Sequence, residues 1–424
     1  MKKKWLLALV LGLVLCVLAG CVPVSGTTLP GSLGYLRALS GGRDEYAKNN
    51  GNQSDTVTIS REEYERYRQL DEVLELKEII EQYYYQEPSQ EDMLYGLSAG
   101  LLAGLKDPYS FYYTPEEWTK MWEDVEGEYA GVGILISSNY TTNLCTISRV
   151  FKGSPAEAAG VQRGDILYRI GEDLYVVPET LQDAVDIMRG TPGTSVDVTF
   201  LRKGEEITFT LKRANIVVNQ TESAMLTDDI GLIALYEFSG KSDKEFETAF
   251  NELKAKGAKS LIIDLRDNPG GWVEAAQYIG DLFMDKGDLC YLVYRDGEED
   301  HCYPTKDGRE EIPLVMLVNE NSASASEILT AALRERAGAT VVGTTTYGKG
   351  VVQAVLPIGD EGAGFQLTVA EYMTPDGNHV HKVGLTPDVE IPLAEDDNGD
   401  YDFADKENDP QLKKALEVME EKMK

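Results

Sequence analysis

Three closely spaced serines follow a short apolar stretch in the second half of the chain. Ser322, Ser324 and Ser326 come after the apolar residues 314–318 and before residues 329–336, which keep helical spacing. This pattern predicts a buried strand, a sharp turn and a helix. A serine at such a junction lies near the free N–H groups that begin the helix, and these groups stabilise an oxyanion. Serine is also a preferred helix cap, so a purely structural role stays open at this point.

A serine nucleophile needs a base, and Lys349 is the best-placed candidate. None of the three histidines, His301, His379 and His381, stands in a sequence that supports catalysis. Lys349 lies in the uncharged, glycine-rich residues 343–353. Burial disfavours the ammonium form of a lysine and so lowers its pKa, which makes the side chain a usable base. The alternative is a lysine whose amino group simply reaches solvent.

Two other motifs suggest chemistry, but their surroundings argue against both. Residues 96–100 fit the nucleophile-elbow pattern around Ser98, yet that elbow needs a preceding strand, and the flanking leucines keep helical spacing. Residues 343–349 match seven positions of a phosphate loop, but Gly350 stands where serine or threonine should follow. No Cys-x-x-Cys or His-Glu-x-x-His spacing occurs, so we expect no metal site and no cofactor.

The segments that must position these residues differ in their patterns. Helical spacing occurs over residues 61–85 and 93–105, and short strands surround one helix at 178–189. From residue 230 to 392 strands alternate with helices, which predicts an α/β layer. We therefore expect a multidomain α+β protein. The predicted segments are a helical region at 61–126, a β-rich module at 127–214, an α/β core at 215–392, and an acidic segment with a last helix at 393–424.

Ordered motifs along residues 65–420 resemble those of the carboxy-terminal processing peptidases, also called tail-specific proteases. The motifs are Asp107-Pro-Tyr-Ser110, Gly153-Ser-Pro-Ala156, Arg163-Gly-Asp-Ile-Leu167, Asp264-Leu-Arg-Asp-Asn-Pro-Gly-Gly271, Ser322-Ala-Ser-Ala-Ser-Glu-Ile328, Gly348-Lys-Gly-Val-Val-Gln353 and Tyr372-Met-Thr-Pro-Asp-Gly377. The resemblance implies a serine endopeptidase with an N-terminal helical region, a PDZ domain and an α/β peptidase core of the crotonase-like type. A catalytically silent PDZ scaffold that captures protein tails is the alternative. It predicts that Ser324 or Lys349 is missing, and both are present.

The resemblance also implies a role for each matching position. These positions are Ser324 for the nucleophile, Lys349 for the general base and Gln353 for the residue that orients the lysine. Backbone N–H groups of Ala325 and of the pair Gly270 and Gly271 would form the oxyanion hole. Two successive glycines permit the close backbone approach that such a hole requires. Ser322 and Ser326 are expected to have capping or packing roles.

The PDZ-like segment implies a second binding site. PDZ domains add an extended C-terminal peptide to a sheet edge and hold its carboxylate with backbone N–H groups. By resemblance, the carboxylate-binding loop consists of Gly131, Val132, Gly133 and Ile134. We therefore expect protein or peptide substrates with free C-terminal tails, and a PDZ domain that gates the activity. Arg189 is either a coupling residue or, more simply, a cation that stabilises a helix C-terminus.

Composition and charge restrict the partners rather than the reaction. The 424 residues are 42% hydrophobic, which supports several folded domains, and 72 acidic against 40 basic residues give a net charge of −32. Nucleic acid and anionic lipid are bound by basic patches, so we expect no nucleic-acid partner and no attraction of this surface to anionic membrane. A homodimer is a further expectation that rests on the resemblance alone.

The first residues predict export. Three lysines at 2–4, an apolar run at 5–19 and the sequence Leu18-Ala-Gly-Cys21 form a secretory signal that resembles the bacterial lipobox. Cleavage of the lipoprotein signal peptide, residues 1–20, would leave Cys21 as the lipidated N-terminus of a flexible tether at 21–60. We expect a lipoprotein on the outer face of the cytoplasmic membrane, on its periplasmic or extracellular side. An uncleaved anchor is the alternative, and pairing of Cys290 with Cys302 stays open.

Overall fold

The computed structural model describes residues 21–23, 58–126, 128–140, 142–301, 305–306, 309–360, 362–392 and 403–424. The predicted signal peptide, most of the tether, Cys302 and most of the acidic segment lie outside these residues. Within the described part of the chain, no helix is both long and apolar enough to cross a bilayer. Most of the chain forms two compact units, the larger with Thr119–Gln353 and Val369–Lys424, and the smaller with Pro23–Trp118 and Ala354–Thr368.

Helices dominate the smaller unit. Its described elements are α1 (Arg61–Arg68), α2 (Asp71–Tyr83), α3 (Gln90–Ala103) and β2 (Phe111–Tyr113); a short strand β1 covers Cys21–Pro23, and α4 (Pro115–Glu126) follows β2. The helical spacing over residues 61–85 corresponds to two helices, α1 and α2, with an interruption between them. The Leu70 N–H donates to the carbonyl of Tyr67, three residues back, which is a tight 3₁₀-type turn.

The helices of the smaller unit keep their apolar side chains on the surface. None of the residues in α1, α2 and α3 is buried. The exposed apolar side chains include Tyr67, Leu74, Leu76, Tyr83, Leu94, Leu97, Leu101 and Leu105. Exposed apolar side chains in this number are unusual on a monomeric surface.

The β-rich module has its own sheet and core. Its elements are β3 (Glu128–Gly131), β4 (Ile134–Asn139), β5 (Leu144–Val150), α5 (Pro155–Ala159), β6 (Ile166–Ile170), β7 (Leu174–Tyr175), a 3₁₀ turn (Pro178–Thr180), α6 (Leu181–Met188), β8 (Ser195–Arg202), β9 (Glu205–Lys212) and β10 (Ala214–Val217). The sheet order is β4-β5-β6-β8-β9, with β7 beside β6. The entry strand β3 and the exit strand β10 pair antiparallel, so a two-stranded ribbon carries the module.

The α/β core is built on a mostly parallel sheet. Its elements are β11 (Thr221–Met225), β12 (Ile230–Leu235), α7 (Ser242–Ala255), β13 (Ser260–Asp264), α8 (Val273–Asp281), β14 (Tyr291–Tyr294), β15 (Glu299–Asp300), β16 (Leu314–Val318), α9 (Ala325–Ala337), β17 (Thr340–Gly343), β18 (Val351–Ile358), β19 (Ala363–Met373), β20 (Val389–Glu390) and α10 (Pro410–Lys422). The strand order is β11-β12-β13-β16-β17-β20, and β11 alone is antiparallel in this sheet. The alternation of strands and helices predicted this layer.

Both faces of this sheet are covered, which explains why its central strands read as continuous apolar runs. Alternate side chains of each strand point to opposite faces. On one face, residues such as Leu261 and Ile263 pack with α7, α8 and α9. On the other face, Ile262 packs with Leu412 and Met419 of α10. The last helix therefore completes the core rather than extending from it.

The parallel strands bring distant segments to one edge. Register pairs Asp264 of β13 with Leu317 of β16, and Val318 of β16 with Gly343 of β17. All three strands therefore end side by side, and the loops that follow them leave the sheet together. In open α/β sheets this carboxyl edge is where ligands bind.

Candidate active site

Ser324 immediately precedes α9 and has a strained backbone. Its φ of 54° and ψ of −116° lie in a region that side-chain-bearing residues rarely adopt. A residue held there costs roughly 1–3 kcal/mol, and such residues cluster at functional sites. Ser324 is only 3% exposed. The predicted strand, sharp turn and helix are therefore confirmed, and the turn is sharpest at this serine.

Glu327 joins the segment of Ser324 to the segment of Lys349. Its Oε2 accepts the backbone N–H groups of both Ser324 and Lys349, each at 2.9 Å. Its Oε1 accepts the Thr346 hydroxyl at 2.5 Å and the Gly348 N–H at 2.8 Å. One carboxylate oxygen thus bridges two residues that are 25 positions apart in the sequence.

Burial and the donated hydrogen bonds act in opposite directions on the charge of Glu327. Burial raises the pKa of Glu327, because a carboxylate without water is disfavoured, whereas the donated hydrogen bonds act in the opposite direction. The four N–H and O–H groups that donate to this carboxylate favour its ionised form. Burial and the neighbouring Glu327 also raise the pKa of Tyr372, whose hydroxyl donates to the Ser324 carbonyl at 3.4 Å. The phenol therefore stays protonated and adds a further contact to the serine.

Lys349 and Gln353 are both buried in the same segment. Lys349 is 4% exposed and precedes β18, and Gln353 lies within β18 with no exposed surface. The Tyr347 N–H donates to the Ser322 carbonyl at 3.0 Å, which adds to the three bonds that Glu327 already makes between the serine segment and the lysine segment. The interpretation of Lys349 as an ordinary solvent-exposed lysine is therefore wrong.

Gly270 lies directly against the serine. A Cβ at Gly270 would be 2.8 Å from Ser324 Cβ and 3.0 Å from the N of Ala325, so only glycine fits. Gly270 also has a φ of 106° and Gly271 a φ of 129°, which other residues disfavour. The Gly270 N–H already donates to Asn268 Oδ1 at 2.9 Å. The Gly270 N–H is therefore occupied, which leaves the Gly271 N–H and the Ala325 N–H at the start of α9 as the candidates for the oxyanion hole.

The flanking serines and Asn268 hold this loop in place. The Ser322 hydroxyl donates to the Leu265 carbonyl at 2.7 Å, and the Ser326 hydroxyl donates to the Asn268 carbonyl at 2.9 Å. Both hydroxyls thus bind backbone carbonyls of residues 265–268, shortly before Gly270 and Gly271, which is the packing role expected for them. Sequence reasoning missed Asn268 and Glu327. The Ser-x-x-Glu spacing of a capping box was the available signal for Glu327.

The structure rejects the alternative nucleophile and the phosphate loop. Ser98 lies inside α3, with no strand before it, so the elbow interpretation is wrong. The glycine-rich residues 343–349 lead into β18 and not into a helix, as a phosphate loop would require. His301 pairs with Asp288 at 2.8 Å on an exposed surface. None of these groups belongs to the site around Ser324.

The predicted carboxylate-binding loop connects β3 to β4. Gly133 has a φ of 87°, and its carbonyl accepts the Phe151 N–H at 3.0 Å and the Ser154 hydroxyl at 3.2 Å. The Val132 carbonyl accepts the Ala156 N–H at 3.0 Å. The loop is therefore held by its carbonyl groups. Arg189, at the end of α6, lies over the Tyr129 ring with 5.1 Å to its centroid.

Comparison with known proteins identifies the family of the chain that carries this site. A sequence profile of peptidase family S41 matches residues 229–391, and a profile of the PDZ domain matches residues 146–202. The chain is 34% identical over 339 residues to the carboxy-terminal processing protease CtpA of Bacillus subtilis (strain 168), across 80% of this chain and 72% of that protein. The chain belongs to peptidase family S41.

Other S41 proteins agree with this assignment. The carboxyl-terminal-processing protease of Synechocystis sp. is 38% identical over 302 residues, across 69% of this chain and 70% of that protein. Among solved structures, the photosystem II D1 C-terminal processing protease has a TM-score of 0.50 at 26% identity, over 79% of this chain and 94% of that chain. A putative S41 protease from Bacteroides fragilis has a TM-score of 0.54 at 17% identity, over 80% and 91% of the two chains, and supports the fold alone.

Membership of family S41 confirms the fold class and the type of enzyme. The protein is a carboxy-terminal processing serine protease with an N-terminal helical region, a PDZ domain and an S41 peptidase fold. Its substrates are proteins or peptides. The interpretation as a catalytically silent scaffold is therefore set aside.

Proposed function

We propose that this S41 peptidase cleaves exported proteins at or near their C-terminal tails with a Ser–Lys dyad. Ser324 is the nucleophile, Lys349 the general base, and Gln353 the residue that orients the lysine. The observation that carries the proposal is the shared carboxylate of Glu327, which binds the backbone of both dyad members at 2.9 Å. Burial of Lys349 supports it further, because removal from water disfavours the charged ammonium form of an amine.

The reaction follows from these groups. The neutral Lys349 amine takes the Ser324 proton while the serine oxygen attacks the scissile carbonyl. The N–H groups of Ala325 and Gly271 bind the oxygen that becomes negative, and Gly270 provides the space for it. The Lys349 ammonium then protonates the leaving amine, which leaves an acyl-enzyme on Ser324. Water, deprotonated by Lys349, releases the acyl group and restores the serine.

Replacement of each dyad member tests this assignment. Ser324→Ala and Lys349→Ala should each lower kcat on a peptide substrate by at least about 10³-fold, since residues that act as a unit are nearly as damaging singly as together. Ser98→Ala, a serine of helix α3, is the matched control and should keep full activity. Unchanged cleavage by Ser324→Ala would exclude the proposed nucleophile.

The PDZ domain is proposed to bind substrate C-termini and to gate the activity. Support comes from the loop of Gly131, Val132, Gly133 and Ile134, which is fixed by its carbonyls and continuous with the ribbon strand β3. A substrate with a free C-terminal carboxylate should be cleaved faster than the same peptide with a C-terminal amide. Equal rates for the two peptides, together with equal affinities, would argue against tail recognition.

Export and anchoring are proposed from the first residues of the chain. Lipidation of Cys21 would attach the protease to the outer face of the cytoplasmic membrane, facing the periplasm or the exterior. The protein should incorporate labelled palmitate and remain in the membrane fraction, and Cys21→Ala should lose both properties. Palmitate incorporation by Cys21→Ala would rule out this anchor.

A homodimer is proposed for the smaller unit. The exposed apolar side chains of α1, α2 and α3 support it, because a second copy would remove them from water. Light scattering of the protein from residue 21 onward should give twice the chain mass, and Leu74→Glu with Leu101→Glu should give the monomer. A monomer at all concentrations would contradict the proposal.

A further inference from the structure

Arg149 of the PDZ domain is unusually buried for an arginine. It lies on β5 and is only 9% exposed. Its guanidinium carbon is 3.8 Å from the centroid of the Tyr236 ring, which is within the range of a close cation–π contact. Its Nη2 donates to the carbonyl of Asn219, and its Nε lies 3.4 Å from the carboxylate of Glu222. An arginine is desolvated in this way only where several groups replace its water.

These three partners of Arg149 lie outside the PDZ sheet, in the peptidase core, whereas a fourth, the Phe151 ring at 5.2 Å to its centroid, belongs to the PDZ domain. Glu222 belongs to β11, where it pairs in register with Ala234 of β12. Tyr236 follows β12 directly, and its N–H donates to the Gln220 carbonyl at 2.9 Å. Arg149 of the PDZ sheet thus contacts both Tyr236, at the end of β12, and Glu222, on the neighbouring strand β11.

The segment after β12 also carries the glycine loop of the active site. The Leu235 carbonyl accepts Asn268 Nδ2 at 2.7 Å, and the Phe238 N–H donates to the Gly270 carbonyl at 2.8 Å. The Phe238 carbonyl accepts the Trp272 N–H at 2.7 Å. Residues 235–238 therefore contact the PDZ domain through Tyr236. On either side of Tyr236, their backbone groups form hydrogen bonds with the Asn268 side chain and with the backbone of Gly270 and Trp272.

We propose that Arg149 is a positioning residue that links the PDZ domain to the oxyanion hole through Tyr236. While the guanidinium is seated on the Tyr236 ring, residues 235–238 hold Gly270 and Gly271 against Ser324. When the PDZ domain moves away, Tyr236 loses its contact with Arg149. Residues 235–238 then no longer hold the glycine loop, residues 268–272, in a fixed position. The ribbon of β3 and β10 connects the PDZ sheet to the rest of the chain, and β3 leads directly into the carboxylate-binding loop. Binding of a peptide at this loop can therefore shift the PDZ domain through the ribbon. This inference rests on the proposed function and specifies how the PDZ domain acts on that site.

Kinetics of the full-length protein with Arg149→Ala test the link. On a short peptide with an amidated C-terminus, kcat should fall about ten- to a hundredfold with KM unchanged, since misplacement of reacting groups by about 1 Å has effects of that size. The affinity of a peptide boronate, which forms a tetrahedral adduct, should fall by the same factor as kcat. The affinity of the PDZ domain for a free tail peptide should stay within twofold. Tyr236→Phe keeps the ring and should retain wild-type kcat. Tyr236→Ala should lower kcat by the same factor as Arg149→Ala. The double variant Arg149→Ala with Tyr236→Ala should have no lower kcat than either single variant.

Arg202→Ala is the matched control. Arg202 also belongs to the PDZ sheet and pairs with the buried Asp165 at 2.6 Å, but its partners lie within the PDZ domain. It should lose thermal stability comparably and keep kcat. Wild-type kcat in Arg149→Ala, an equal loss in Arg202→Ala, or a loss confined to KM or to tail binding would each overturn the link. The Ser324→Ala experiment is independent, because retained cleavage there refutes the dyad and leaves the Arg149 result to be judged on its own.

Discussion

Replacement of Glu327 by glutamine is the most informative single change in the active site. The glutamine has nearly the same shape, but one carboxylate oxygen becomes an NH₂ group that donates. Each oxygen of Glu327 accepts two hydrogen bonds. In either orientation of the glutamine amide, its NH₂ group therefore faces two groups that donate to the carboxylate in the wild type. Two bonds are lost whichever way the side chain turns.

The expected magnitude follows from those two bonds. Hydrogen bonds to charged groups contribute about 1.5–3 kcal/mol each, so the variant should lose at least about 3 kcal/mol of stability. If the amide oxygen stays with Thr346 and Gly348, the lost bonds are those to Ser324 and Lys349. The same 3 kcal/mol expressed in the transition state corresponds to a fall in kcat on the order of a hundredfold. Glu327→Asp keeps both acceptors on a shorter side chain and should recover part of the activity.

Glu335→Gln separates this effect from simple destabilisation of α9. Glu335 lies on the same helix and accepts bonds from Thr374 at 2.8 Å and from Asp376 at 2.7 Å, away from Ser324. Thermal unfolding and kcat should be measured for both variants at a temperature where each is folded. Glu335→Gln should lower the unfolding temperature and leave kcat unchanged. Wild-type kcat in Glu327→Gln, or equal losses in the two variants, would refute the reasoning.

Three further predictions test other parts of the structure. Gly270→Ala should abolish peptidase activity because its Cβ would overlap Ser324, whereas Gly297→Ala, with a φ of 82° and nothing within 4 Å, should cost only about 1 kcal/mol of stability in a denaturant titration. Arg266→Met should destabilise the protein by about 3–5 kcal/mol and expose α10 to protease, because Arg266 pairs at 2.7 Å with the buried Asp409 that caps this helix. Burial raises the pKa of the Cys145 thiol to about 11, so alkylation of this thiol at pH 8 should be far slower in the folded than in the unfolded protein. Because the unfolded protein loses the thiol proton first, the free energy of unfolding should fall as the pH rises from the usual thiol pKa towards about 11. Equal labelling rates in the two states would contradict this burial.

Local patterns predicted the strands and helices that carry a clear period. The apolar residues 314–318 and the alternating residues 144–150 are strands with those bounds. The interruption at Leu70 was not predicted, because neither glycine nor proline marks it. The serine and lysine segments were recognised from local composition and motifs, and the parallel register of β16 and β17 explains why they meet.

Contacts between distant residues left no local signal. Arg266 and Asp409 are 143 positions apart, and neither neighbourhood indicates a partner for the other. Arg149 lies in an ordinary alternating strand, so nothing in its local sequence indicates the contact with Tyr236. Only the three-dimensional structure, which brings the PDZ sheet to the end of β12, shows it. Tertiary packing, rather than propensity, decides such contacts, which is why a single sequence does not disclose them.

The strained backbone of Ser324 explains why so many polar groups surround one short turn. A positive φ at a serine opposes folding by roughly 1–3 kcal/mol, and glycine would remove most of that strain. Glycine would also remove the hydroxyl, so the strain can be relieved only by bonds that hold the turn from outside. The Ser324 N–H bond to Glu327, the Ala323 N–H bond to Asn268 at 3.0 Å and the bond from Tyr372 to the Ser324 carbonyl all restrain this turn. Because Glu327 and Asn268 also hold the lysine segment and the glycine loop, the same bonds that stabilise the strained serine bring its two partners to it.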